Sequence, residues 1–137
     1  MTISTNLDWP RLTGTDRCPC LSGQPYGECC EPFHRGTSSA PTAERLMRSR
    51  YSAFVVGDAA YLLRTHHPST RPATLDLDPN IRWYRLDILS RTRGGVLDTE
   101  GEVEFRASYR YDGEASSQHE RSTFTRDHGT WSYVSAV

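Results

Sequence analysis

The chain has no lysine; all sixteen of its lysine-or-arginine cations are arginine. A genome rich in G and C produces that bias with no selection on function, and the alternative is that guanidinium forks are kept for anions. No apolar run approaches the roughly 20 residues of a membrane helix, and the first seventeen residues lack the apolar stretch and small-residue cleavage site of an export signal. The sequence therefore predicts a cytoplasmic protein with no membrane partner. A formal charge of −1 supplies no basic excess for nucleic acid. G-x-S-x-G, Walker, Rossmann and H-E-x-x-H signatures are all missing, and no cysteine lies outside residues 18–30. Covalent thiol chemistry is thereby disfavoured once those cysteines are otherwise engaged.

What the sequence does contain is Cys18-Pro19-Cys20, followed nine residues later by Cys29-Cys30. A CxC pair and a CC pair are poor internal disulfide partners, and the residues between them have turn rather than core composition. One tetrahedral metal held by four thiolates is the economical reading. Its alternatives are a disulfide or a ligand set with His34 replacing one cysteine. Zinc is the expected cofactor, although the spacing accepts iron too. Ordering the loop costs about 1–2 kcal/mol of backbone entropy per residue, which a structural zinc site of about 10–16 kcal/mol offsets. Arg17 and Arg35 flank the site and are expected to soften its negative charge.

Before the cysteines, residues 1–17 read as an irregular lead-in with Leu7, Trp9 and Leu12 as the available anchors. After a knuckle over 18–35, residues 36–137 read as one α+β domain. Thr42 is an N-cap, Glu44 sits in the first turn and Gly57 closes the helix. Ala43, Leu46, Met47, Ala53 and Phe54 gather on one helical face with Arg50 and Tyr51 on or beside it. Asp58 caps a second helix running to about His66 and stopped by Pro68, with His66 on its inner stripe. A proline-rich linker follows over 68–80. Period-two patterning then predicts strands at about 81–92, 102–111, 118–126 and 130–136, separated by Gly94-Gly95, Asp112-Gly113 and Asp127-His128-Gly129. The second alternates Val103, Phe105, Ala107, Tyr109 and Tyr111 against Glu102, Glu104, Arg106, Ser108 and Arg110, which predicts one buried and one wet face.

The run from Cys18 to Cys30 resembles the SEC-C motif, the zinc knuckle also found at the end of the SecA translocation ATPase, with Cys18, Cys20, Cys29 and Cys30 as implied ligands. Leu21 departs from that pattern, which usually has glycine there, and Gln24 and Glu28 replace its basic residues. With Glu28 and Glu31, the knuckle lacks the charge for the acidic chaperone the resemblance would imply. The segments Pro41–Phe54, His67-Pro-Ser-Thr-Arg71 and His119-Glu-Arg-Ser122 extend the likeness to the YchJ family. That resemblance implies helices on a curved four-stranded antiparallel sheet, a nuclear-transport-factor-2-like cone with a pocket.

The residues to examine in such a pocket are inward-facing and polar. Alternation from Phe124 turns Ser122 and Glu120 inward and His119 outward. Arg50 then needs a carboxylate, and a buried or half-buried Arg50–Glu120 pair is expected. Tyr51, Trp83, Tyr84, Tyr109 and Trp131 are core aromatics that could line a ligand site. His67 and His128 read as solvated. The expected function is a non-enzymatic zinc-binding or adaptor module, with a protein partner at the knuckle and a small-molecule ligand in the pocket. One alternative is an enzyme using Glu120, Arg50, His66 and Tyr51 as acid, base and orienting groups, with none assigned as the catalytic residue. Metal delivery is the other.

Overall fold

The computed structural model describes residues 9–137. Leu7 and the rest of the first eight residues lie outside the described residues. The knuckle holds a short 3-10 turn, Tyr26–Glu28, and then a five-residue helix α1, Glu31–Arg35. That helix was not expected, although Pro32 in its first turn and Gly36 in a left-handed C-cap both mark it.

Helix α2, Ala43–Val56, begins and ends where its caps predict. The Thr42 side chain accepts a hydrogen bond from the Arg45 N–H, and Gly57 closes the helix at φ 77°. The ring of Trp9 lies so close over Gly57 that a Cβ there would fall 2.4 Å from it. At the other end of α2, the Ala43 N–H donates to the Gly94 carbonyl, and Ala43 packs directly on Gly94 and Gly101. Only residues without a Cβ permit this approach, which fixes the helix to the first hairpin. Helix α3, Ala59–Arg64, is capped by Asp58 as expected, but it ends at Thr65. His66 is therefore beyond the helix, where it forms a parallel bridge with Tyr133. Residues 68–80 contain turns and no regular element.

Four strands follow: β1 Arg82–Arg93, β2 Glu100–Tyr111, β3 Glu114–Asp127 and β4 Thr130–Ala136. They form an antiparallel meander in sequential order. Strand β3 starts earlier than expected because Asp112 and Gly113, both at positive φ, make a two-residue turn that pairs Tyr111 with Glu114. Bulges in β1 near Tyr84 and Leu89, and another in the β3–β4 ladder, interrupt the register and increase local twist.

Val103, Phe105, Ala107, Ser122 and Phe124 are buried on the face that receives α2. His119 points to the opposite face and pairs with Glu104 at 2.7 Å. Trp131 is 2% exposed, and its indole N–H donates to the Pro41 carbonyl at 3.2 Å, tying the last strand to the start of α2. Six residues of the knuckle (Cys18, Cys20, Tyr26, Cys29, Cys30 and Phe33) join the same buried cluster as the helices and sheet. No helix of the described residues is long and apolar enough to cross a membrane.

Candidate metal centre and inner cavity

Cys18, Cys20, Cys29 and Cys30 are each at most 3% exposed, and their sulfurs all lie within 4.8 Å of one another. Tetrahedral coordination at about 2.3 Å per bond sets sulfurs about 3.8 Å apart. Sγ of Cys29 lies 3.6 Å from that of Cys20 and 3.9 Å from that of Cys30. All four are free thiols, and none is in a disulfide. The donor set and its spacing fit a metal ion.

Hydrogen bonds among the four sulfurs distribute the protons unequally, holding the thiols of Cys20 and Cys29 low and those of Cys18 and Cys30 high. A metal ion would displace the remaining protons. The Ser52 hydroxyl, from α2, donates to Cys30 Sγ at 3.4 Å and lies 3.7 Å from Cys18 Sγ. The Ser22 hydroxyl is 3.2 Å from Cys29 Sγ. Both hydroxyls are placed to disperse thiolate charge and orient the ligands.

The cation at the site differs from those expected. Arg35 pairs with Glu31 at 3.4 Å, and Arg17 is exposed, its backbone bridged to Pro25. Arg48 of α2 instead donates to the Cys20 carbonyl at 2.7 Å while Glu44 holds its Nε. His34 stands outside the sulfur cluster and links the knuckle to the helices. Its Nε2–H donates to the Ser49 carbonyl at 2.9 Å, which leaves Nδ1 to accept from the Tyr26 hydroxyl at 2.6 Å. Its ring meets Tyr61 edge-on at 4.7 Å, and burial holds its pKa below the usual histidine value.

A cavity of about 260 Å³ lies between α2 and the inner sheet face, lined by Arg50, Tyr51, His66, Glu120 and apolar residues that include Trp83. The four pocket candidates thus border one void. Arg50 and Glu120 nevertheless make no ion pair within 4.0 Å, contrary to expectation. Arg50 Nη1 donates to the Leu62 carbonyl at 2.8 Å and to Thr65 Oγ1 at 2.7 Å, and the guanidinium lies 4.6 Å over the Tyr133 ring. Glu120 accepts from Ser122 at 2.7 Å, Gln118 at 2.9 Å and the Tyr133 hydroxyl at 3.4 Å. Tyr133 thus connects the two charges, one through its ring and the other through its hydroxyl. The α3 carbonyl that holds Arg50 leaves no trace in the sequence.

Burial pushes the Arg50 pKa down to about 10. Burial and then Arg50 hold His66 below its usual value, so its neutral form is favoured at the cavity wall. The Tyr51 hydroxyl is buried with no hydrogen-bond partner among the described residues. Among the other aromatics, Trp83 packs against Tyr51, Phe54 and Tyr109, Tyr84 is exposed beneath Arg110, and Trp131 is core. His67 is more than a solvated turn residue, for its Nε2 meets Asp127 at 2.9 Å.

The SEC-C motif family matches residues 15–32, and the family described as "YchJ, middle NTF2-like domain" matches residues 42–136. A UPF0225 protein of Streptomyces coelicolor is 58% identical over 120 residues, which span 88% of this chain and 94% of the relative. Another from Corynebacterium glutamicum is 55% identical over 118 residues, or 85% and 93% of the two chains. The solution structure of a SEC-C motif containing protein from Rhodopseudomonas palustris superposes with a TM-score of 0.77 at 33% identity, covering 88% of this chain and 97% of that one. A crystal structure of such a protein from Psychrobacter arcticus gives 0.73 at 27% identity, covering 89% and 82%.

Proposed function

The chain belongs to the YchJ family, in which a SEC-C knuckle leads into a nuclear-transport-factor-2-like domain, and on that premise we propose that it is an intracellular, non-enzymatic zinc-binding protein whose domain holds a small ligand. The observation that carries the metal assignment is four buried sulfurs within 4.8 Å, two of them in contact with a hydroxyl from α2. A closed set of four thiolates leaves no coordination position for a substrate or an activated water, which favours a structural ion. Metal delivery would require an acceptor to reach these sulfurs, and none is more than 3% exposed.

On this reading a protein partner would meet the knuckle loop, where the exposed Leu21 supports the choice of surface. The enzymatic alternative has Glu120, Arg50, His66 and Tyr51 around one cavity. It is less well supported because Glu120 is engaged by three side chains of its own protein. Native mass spectrometry of protein purified from its own cells tests the assignment. One zinc per chain is expected, lost together on Cys29→Ser substitution or chelation. Thermal stability unchanged after verified metal loss would refute the structural role.

A further inference from the structure

We propose that the cavity is a binding site for a small monocarboxylate with an apolar body, its carboxylate held by Nε and Nη2 of Arg50. The inference rests on the reading of the domain as a ligand-binding module and adds the chemical class. Arg50 is 6% exposed, and its hydrogen bonds to described residues all run through Nη1. One edge of the guanidinium is therefore fixed by α3 while the remaining donors belong to a side chain that borders the cavity. No described carboxylate lies within 4.0 Å of it, and Glu120 acts on it only from farther away. A buried cation in that state calls for an anion, and two adjacent N–H donors match the two oxygens of a carboxylate.

The surroundings select among anions. Arg50 is the only arginine on the cavity wall among the described residues, and Glu120 borders the same space. One cation beside one carboxylate disfavours a dianion such as a phosphate monoester, since the second charge would go unmatched near Glu120. Met47, Phe54, Trp83, Phe105 and Ala107 supply the apolar wall for the body of the acid. At about 260 Å³ the space is below the range of about 300–1,000 Å³ common for drug-sized ligands, so the acid is small. Because Nη1 is already held by Leu62 and Thr65, little side-chain freedom remains to be lost on binding.

The test titrates zinc-loaded, isotope-labelled full-length protein with phenylacetate and with its uncharged analogue phenylacetamide, following the Arg50 Nε–H and Trp83 indole signals by NMR. Phenylacetate should shift both saturably, with the amide binding on the order of 10- to 100-fold more weakly. Glu120→Gln should tighten phenylacetate several-fold at unchanged zinc content, and Arg50→Met should abolish the preference for the acid. Equal binding of acid and amide, or weaker acid binding by Glu120→Gln, overturns the carboxylate assignment and leaves the domain a ligand-binding module. Absence of any shift with either probe up to its solubility limit overturns both.

Discussion

His34→Phe isolates the link between the knuckle and the helices. The substitution keeps an aromatic ring against Tyr61 and removes both hydrogen bonds, to the Tyr26 hydroxyl at 2.6 Å and to the Ser49 carbonyl at 2.9 Å. Ser49 lies within α2, so its carbonyl keeps a ladder partner. The Tyr26 hydroxyl loses its partner in a residue only 8% exposed. Two hydrogen bonds at about 0.5–1.5 kcal/mol each, one leaving a buried hydroxyl unpaired at about 1–3 kcal/mol, give a loss of about 2–4 kcal/mol. With a urea slope of about 2 kcal/mol/M, the unfolding midpoint of the zinc-loaded protein should fall by about 1–2 M.

A double-mutant cycle with Tyr26→Phe separates this bond from general damage. The two losses should be strongly non-additive, because either substitution removes the same contact. Additivity within about 0.5 kcal/mol would refute the link. The same variant carries a pH signature. Burial depresses the folded pKa of His34 below its usual value of 6.5. The unfolded chain therefore takes up the proton first, and stability falls as pH drops below about 6.5 until the folded histidine is also protonated. His34→Phe should flatten the urea midpoint against pH over that window.

Three further outcomes follow from the same geometry. Zinc removal should loosen the helical layer as well as the knuckle, because the cysteines share its buried cluster; hydrogen exchange that accelerates in residues 18–35 while α2 stays as protected as before would contradict this. Ser52→Ala removes the hydroxyl 3.4 Å from Cys30 Sγ and should weaken zinc about 10- to 100-fold in a chelator competition, with unchanged affinity counting against Ser52 as a thiolate donor. Gly57→Ala combines φ 77° with a contact of 2.4 Å to Trp9, so it should cost more than about 1 kcal/mol and quench or shift Trp9 emission, whereas a lowered midpoint with unchanged tryptophan emission would mean that Trp9 does not rest there in solution.

Much of the fold was legible because it is written in local chemistry. Thr42 and Gly57 bound α2 by capping, and the alternation along Val103, Phe105 and Ala107 identifies the buried face of β2. The four cysteines announce their cluster by being the only ones. What escaped was carried by partners with no sequence signature. Helix α1 is too short for a periodic stripe, and Arg50 is held by a carbonyl and a hydroxyl at the end of α3 where a carboxylate was expected. Ser52 reads as an ordinary polar residue until the knuckle folds against it. The signal available was two serines, Ser49 and Ser52, one turn apart among buried residues of α2.

The bond from the Trp131 indole to the Pro41 carbonyl spans 90 residues, whereas every sheet pairing joins neighbours in the chain. Hairpins between neighbouring strands close short loops, and this contact closes a long one, so it is expected to form after them. The meander can zip from its turns first, and the C-terminal strand then seals the sheet to the start of α2. Trp131 becomes a clock for that step: its fluorescence should reach the native value after the strands have formed, and a kinetic trace in which it leads them would reverse the order.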